Sequence, residues 1–129
     1  MGKKVIKVPN APKLPFSPAI KAGDYIFVSG QVGFMDSYGK EVQGIEAQTR
    51  QCIENIKQVL QAVESSLDDV VKVTVFLTNA DNFTQMNEVY KNFFQKDCPA
   101  RSTLVTGPLV SSMLVEIECI AYATQKFHD

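Results

Sequence analysis

Cysteine, histidine and excess charge are all scarce in this 129-residue sequence. The 3 cysteines are odd in number and form no Cys-x-x-Cys pair, which argues against a disulfide framework. With His128 the only histidine, they also argue against a zinc site. The same scarcity disfavours serine nucleophiles, because no imidazole apart from near-terminal His128 is present to activate one. Lys and Arg total 13 against 14 Asp and Glu, a formal net charge of -1 with no block of like charge. Nucleic acid is therefore not an expected partner, and a basic membrane-surface helix is not encoded. No apolar run reaches the roughly 18 residues of a membrane span. The basic start MGKKVIKVPN has no apolar stretch behind it, so the expected address is cytoplasmic. Its Met-Gly opening lacks the Ser or Thr at position 6 that N-myristoylation wants, because Ile6 stands there.

What is present is material for one core. At 45% hydrophobic residues, a chain of this length forms a single domain across 1–129. Pro9, Pro12, Pro15 and Pro18 make the lead-in extended and irregular, because each fixes its own φ and moves its predecessor out of the α region. An early strand is expected at Val5–Val8 and another at Tyr25–Ser29, rich in β-branched and aromatic residues. Ile45, Cys52, Ile53, Ile56, Val59, Leu60 and Val63 recur at intervals of three and four, which predicts a helix from about Gly44 to Glu64. VVKVTVFLT reads as a central strand because it is apolar nearly throughout. A second amphipathic helix carries Phe83, Met86, Tyr90, Phe93 and Phe94, and Asn87 interrupts its stripe with an amide that needs partners. Cys52 and Cys119 fall on apolar faces as small core residues, while Cys98 lies in a loop.

The final segments, Arg101–Thr106 and Met113–Ala121, read as strands joined by GPLVSS. The expected class is α+β, ββαβαββ, with two long helices on one face of the sheet. The other face is left without cover, which predicts self-association as a closed cyclic oligomer. Along the last strand Glu116 and Glu118 share a face opposite Cys119. If the two strands form a hairpin with Thr106 facing Ser111, Arg101 lies across from Glu116. That arrangement is either a surface ion pair, contributing ~0.2–1 kcal/mol, or a site where Arg101 holds an anion and a glutamate moves a proton. SGQVG lacks the Gly-x-x-x-x-Gly-Lys spacing of a phosphate loop and reads as a strand end.

PARSTLV followed by VEIECIA resembles the signature of the Rid/YjgF family of reactive-intermediate deaminases, which also carries the names perchloric-acid-soluble translation inhibitor and L-PSP endoribonuclease. The likeness extends in order through FSPAIKAGDYIFVSGQVG, QTRQCIENIKQVLQAVESSLDDVVKVTVFLTNADNF and MNEVYKNFF. It implies a chorismate-mutase-like homotrimer with clefts between subunits. The implied activity is hydrolysis of 2-imino and 2-enamino acids, such as 2-iminobutanoate and 2-iminopropanoate, to 2-keto acids and ammonia without metal or cofactor. Two other roles are compatible with the family: an endoribonuclease that inhibits translation, and a noncatalytic carboxylate-binding or chaperone-like trimer. By the resemblance, Arg101 matches the arginine that binds the substrate carboxylate, and Glu116 the glutamate that positions or activates water. Ser29 and Gly30 match the pocket wall, Asn87 a pocket asparagine, and Glu118 a structural or rim position. Thr103 stands where many members carry cysteine, and Phe16 where deaminases usually carry tyrosine. The loop QKDC before Pro99 is shorter than in some members.

Overall fold

The computed structural model describes residues 2–9, 11 and 13–123, so Pro12 and His128 lie outside the described residues. The elements in chain order are β1 Lys3–Ile6, β2 Ala19–Ala22, β3 Tyr25–Val32, α1 Ile45–Gln61, β4 Val70–Leu77, α2 Phe83–Phe93, β5 Ala100–Val105 and β6 Val115–Tyr122. The six strands form one mixed sheet in the order β1-β2-β3-β6-β4-β5. The first strand lies two residues earlier than expected, and the short β2 was not foreseen.

Both helices cover one face of the sheet, and the α+β class follows from this layering. The α1 side chains that recur at helical spacing, from Ile45 to Leu60, are buried against Val115, Ile117, Cys119 and Ala121 of β6 and the valines of β4. Burial pushes the thiol of Cys52 far up and that of Cys119 up to about 12, so both are inert core groups.

The hairpin is the expectation that fails. β5 pairs with β4 in parallel, with Val73 beside Arg101, and β6 pairs with β4 in antiparallel, with Phe76 beside Glu116. Thus β4 separates the two strands that are adjacent in sequence. The physical reason lies in α2: a parallel pair needs a crossover connection, and the helix between β4 and β5 supplies it. The segment 106–114 then passes across the end of β4 to reach β6.

No described element covers the sheet face away from the helices. Val5, Ile20, Phe27 and Ile120 face one another across successive strands and form an apolar row that ends at Lys72. Phe27 remains 44% exposed in the isolated chain, a large apolar side chain in a contiguous patch.

One buried polar residue ties the loops to this frame. Gln48, only 2% exposed on α1, donates through Nε2 to the Val42 carbonyl at 3.1 Å and the Ser112 carbonyl at 2.9 Å. Its Oε1 accepts from the Leu114 N–H at 3.0 Å. Gly33 makes the close approach possible, because a Cβ there would lie 2.1 Å from the Gln48 carbonyl oxygen.

Candidate active site in two halves

The residues singled out in the sequence divide into two groups. Residues paired across neighbouring strands point to the same face, so Arg101 and Thr103 point with Val73 and Val75 toward the helices. Glu116 points with Phe76 to the uncovered face, and Glu118 with Thr74 does likewise. Arg101 and Glu116 therefore sit on opposite faces of one sheet, with β4 between their strands. No ion pair joins them; the described ion pairs are Lys57–Glu54 and Lys91–Glu88, both along helices.

The first half lies where the edge strand β5 meets α2. The Arg101 guanidinium carbon is 4.6 Å from the centroid of the Tyr90 ring and 5.9 Å from that of Phe83. Asn87 lies between those two aromatics on the same helical stripe and is half-buried, with no side-chain hydrogen bond among the described residues. The amide that broke the apolar pattern is therefore on the arginine's side of the helix, as a binding residue requires. Burial pushes the Tyr90 phenol up to about 12, against the opposing effect of the Arg101 charge. The guanidinium lies over the ring, and the buried hydroxyl has no partner in hydrogen-bond geometry among the described residues. Phe83 and Tyr90 were visible in the sequence only as core positions of α2.

The second half forms around a bulge in β3. Between the pairs Val28–Cys119 and Gln31–Ile117, β3 advances three residues while β6 advances two. The extra residue falls at Ser29–Gly30. Gly30 lies under the Glu116 side chain, where a Cβ would be 2.0 Å from Oε2. Ser29 donates its hydroxyl to the Ser17 carbonyl at 2.5 Å and its N–H to the Pro18 carbonyl at 3.0 Å. These bonds hold the proline-rich lead-in against β3. Phe16 is thereby presented at the surface, 60% exposed, beside a shallow pocket of about 450 Å³ lined also by Ser17, Phe27 and Ser29.

Burial, and next the charge of Glu118, raises the Glu116 pKa above its ordinary 4.5. The native chain then holds more protons than the unfolded one in this window, so the Glu116 contribution to stability is present below the ordinary pKa and falls as pH rises through the raised value. We expect the denaturation midpoint in urea to decline with pH just above 4.5 and Glu116→Gln to flatten that decline. An unchanged slope in the variant would place the titrating group elsewhere.

A raised proton affinity is what a carboxylate needs in order to accept a proton from water and return it. The other half offers a cation with no acid paired to it among the described residues. Among the described residues no group of His, Cys, Asp and Glu is arranged to hold a metal ion, and no helix is long and apolar enough to cross a membrane. Cys98, on neither half, is exposed, and its thiol donates to the Phe94 carbonyl at 3.2 Å.

Comparison with known proteins places these halves in context. Residues 7–123 match the family described as Endoribonuclease L-PSP. A RutC family protein of Pyrococcus horikoshii is 47% identical over 123 residues, covering 93% of this chain and 98% of the relative. A protein of Dermatophagoides farinae named 2-iminobutanoate/2-iminopropanoate deaminase is 38% identical over 121 residues, covering 92% of this chain and 94% of the relative. The crystal structure of Escherichia coli TdcF with bound serine superposes with a TM-score of 0.85 at 33% identity, covering 94% of this chain and 99% of that one.

Proposed function

The chain belongs to the endoribonuclease L-PSP family, the Rid/YjgF proteins, and from that premise we propose that it hydrolyses 2-imino and 2-enamino acids to 2-keto acids and ammonia. The observation that carries the reading is the pair of half-sites: an arginine with no acid partner among the described residues on one face, and a glutamate of raised proton affinity on the other. A single chain cannot bring these groups to one substrate, because the sheet stands between them. A second copy can, if its uncovered face is laid beside the β5–α2 edge of the first. The apolar row from Val5 to Ile120 gives that contact a hydrophobic driving force, and cyclic closure into a homotrimer repeats it at three boundaries.

In the proposed cleft Arg101 holds the substrate carboxylate through two parallel N–H donors. Glu116 of the neighbouring copy accepts a proton from water as the water oxygen bonds to the imine carbon. The carboxyl returns that proton to nitrogen to give a carbinolamine, then takes the hydroxyl proton and passes it to the amine, so that the carbon–nitrogen bond breaks, the carbonyl forms and ammonia leaves a 2-keto acid. Asn87 and the Gly30 backbone flank the reacting group, and no step calls for a metal or an organic cofactor. Thr103, two residues beyond Arg101 on the same face, lines the carboxylate side, and Phe16 lines the other with a ring that has no hydroxyl to give.

The test is the hydrolysis rate of 2-iminobutanoate and 2-iminopropanoate, generated in the assay by an amino-acid oxidase. Acceleration by the native protein is the expected result. No acceleration by a correctly assembled oligomer would overturn the reading. The nuclease named in the family description has no electrostatic source in a chain of net charge -1 without a basic block.

A further inference from the structure

We infer that Tyr90 is a positioning residue for substrate capture, its ring fixing the plane of the Arg101 guanidinium so that the carboxylate meets the donors edge-on. The inference rests on the proposed role of Arg101 and goes beyond it by naming what orients that arginine.

An arginine side chain has four rotatable bonds, and a bidentate grip on a carboxylate demands one orientation of a planar fork. Acidic partners usually impose it, but Arg101 has none among the described residues. What it has is the face of Tyr90 at 4.6 Å, with Phe83 at 5.9 Å. A guanidinium that stacks on a ring has its face occupied and its in-plane N–H donors left for a ligand, and the position of the Arg101 carbon over the Tyr90 ring is the contact such stacking requires. The Tyr90 ring is itself held in place, being buried and packed on buried Phe94 at a centroid distance of 4.7 Å and an interplanar angle of 32°. An aromatic platform also serves a binding arginine better than an acid would, because it orients the cation without neutralising it. Among the described residues the Tyr90 hydroxyl has no partner in hydrogen-bond geometry, which leaves the ring as the contact that supports the guanidinium.

Calorimetric titration with 2-oxobutanoate, the stable keto acid that carries the same carboxylate, tests this in the assembled protein. Tyr90→Phe is expected to bind within about twofold of native, and Tyr90→Leu about tenfold more weakly, the scale of a lost cation–π contact. In an Arg101→Ala background, Tyr90→Leu should change nothing further, because the ring acts through the arginine. Equal binding by native and Tyr90→Leu proteins would overturn the inference while leaving the role of Arg101 intact. Weakening by Tyr90→Phe to the level of Tyr90→Leu would also overturn it, by assigning the effect to the hydroxyl. Absence of binding by the native protein would instead remove the carboxylate role of Arg101 and this inference with it. Should Tyr90→Leu fail to assemble, the Arg101 side-chain protons decide. Upfield ring-current shifts in both native and Tyr90→Phe proteins support the platform, and unshifted resonances refute it.

Discussion

Mixing Arg101→Ala and Glu116→Gln chains, unfolded together and refolded, should restore about a quarter of native imine hydrolysis, although each variant alone is nearly inactive. Arg101→Ala removes two charge-assisted hydrogen bonds of about 1.5–3 kcal/mol each, which corresponds to a loss of about 10²–10⁴-fold in kcat/KM. Glu116→Gln retains the shape of the side chain but not its basicity, so ligand binding persists while turnover falls by about 10²–10⁴-fold. Recovery on mixing follows from the opposite faces these residues occupy. In a cyclic trimer with sites at its boundaries, random assembly makes about three quarters of the trimers mixed, and each has one boundary in three with both native residues. If size-exclusion and mass spectrometry show mixed trimers with no regained activity, the two residues do not meet across a boundary. Equal, small losses in the two single variants would sink their assigned roles before any mixing.

Gln48→Leu should be the most damaging substitution away from the proposed cleft. Leucine fills nearly the same space but abandons two carbonyls and one N–H that now bond to the buried amide. A cost of about 3 kcal/mol, and a fall in Tm of roughly 10 °C, follows from leaving these groups unpaired. Gln48→Glu is the informative companion, since its carboxylate still accepts from the Leu114 N–H but cannot donate to Val42 or Ser112. We expect it to fall at least as far, because burial also penalises its charge. A differential-scanning measurement showing either variant within about 1 °C of native would mean that water replaces the amide without cost. Loosening of the segment that enters β6 should also lower activity well below the melting temperature, since Glu116 is the second residue of that strand.

The parts of this molecule that were legible in the sequence are those written in a local period. The three-and-four spacing from Ile45 to Leu60 gave α1, and alternation along β6 separated Glu116 and Glu118 from Cys119. Lateral order is not local. Adjacency in sequence suggests a hairpin, but the strand–helix–strand unit immediately upstream decides the order: its crossover places β5 beside β4 and sends β6 to β4's other side. Such a hairpin would bring Arg101 and Glu116 together within a chain that actually holds them apart. β2 escaped notice because AIKA is four residues with a single β-branched member. The resemblance named residues one by one, yet only the register shows which of them share a face. Tyr90 was hidden for another reason: a ring that packs in a core and a ring that supports a cation have the same helical spacing.

The bulge in β3 has a meaning for sequence change as well as for shape. Insertions and deletions are usually absorbed by loops and rejected by strands, yet a bulge is the place where a strand already carries one residue too many. Deleting a residue at Ser29–Gly30 would leave the ladder on either side able to pair, so the sheet itself could survive the loss. The glycine that gives the Glu116 carboxylate its room would be the casualty, or the serine that anchors the lead-in bearing Phe16. A lineage could thus pass through such a deletion with its fold intact and its chemistry gone, and the length of this one strand would record the event.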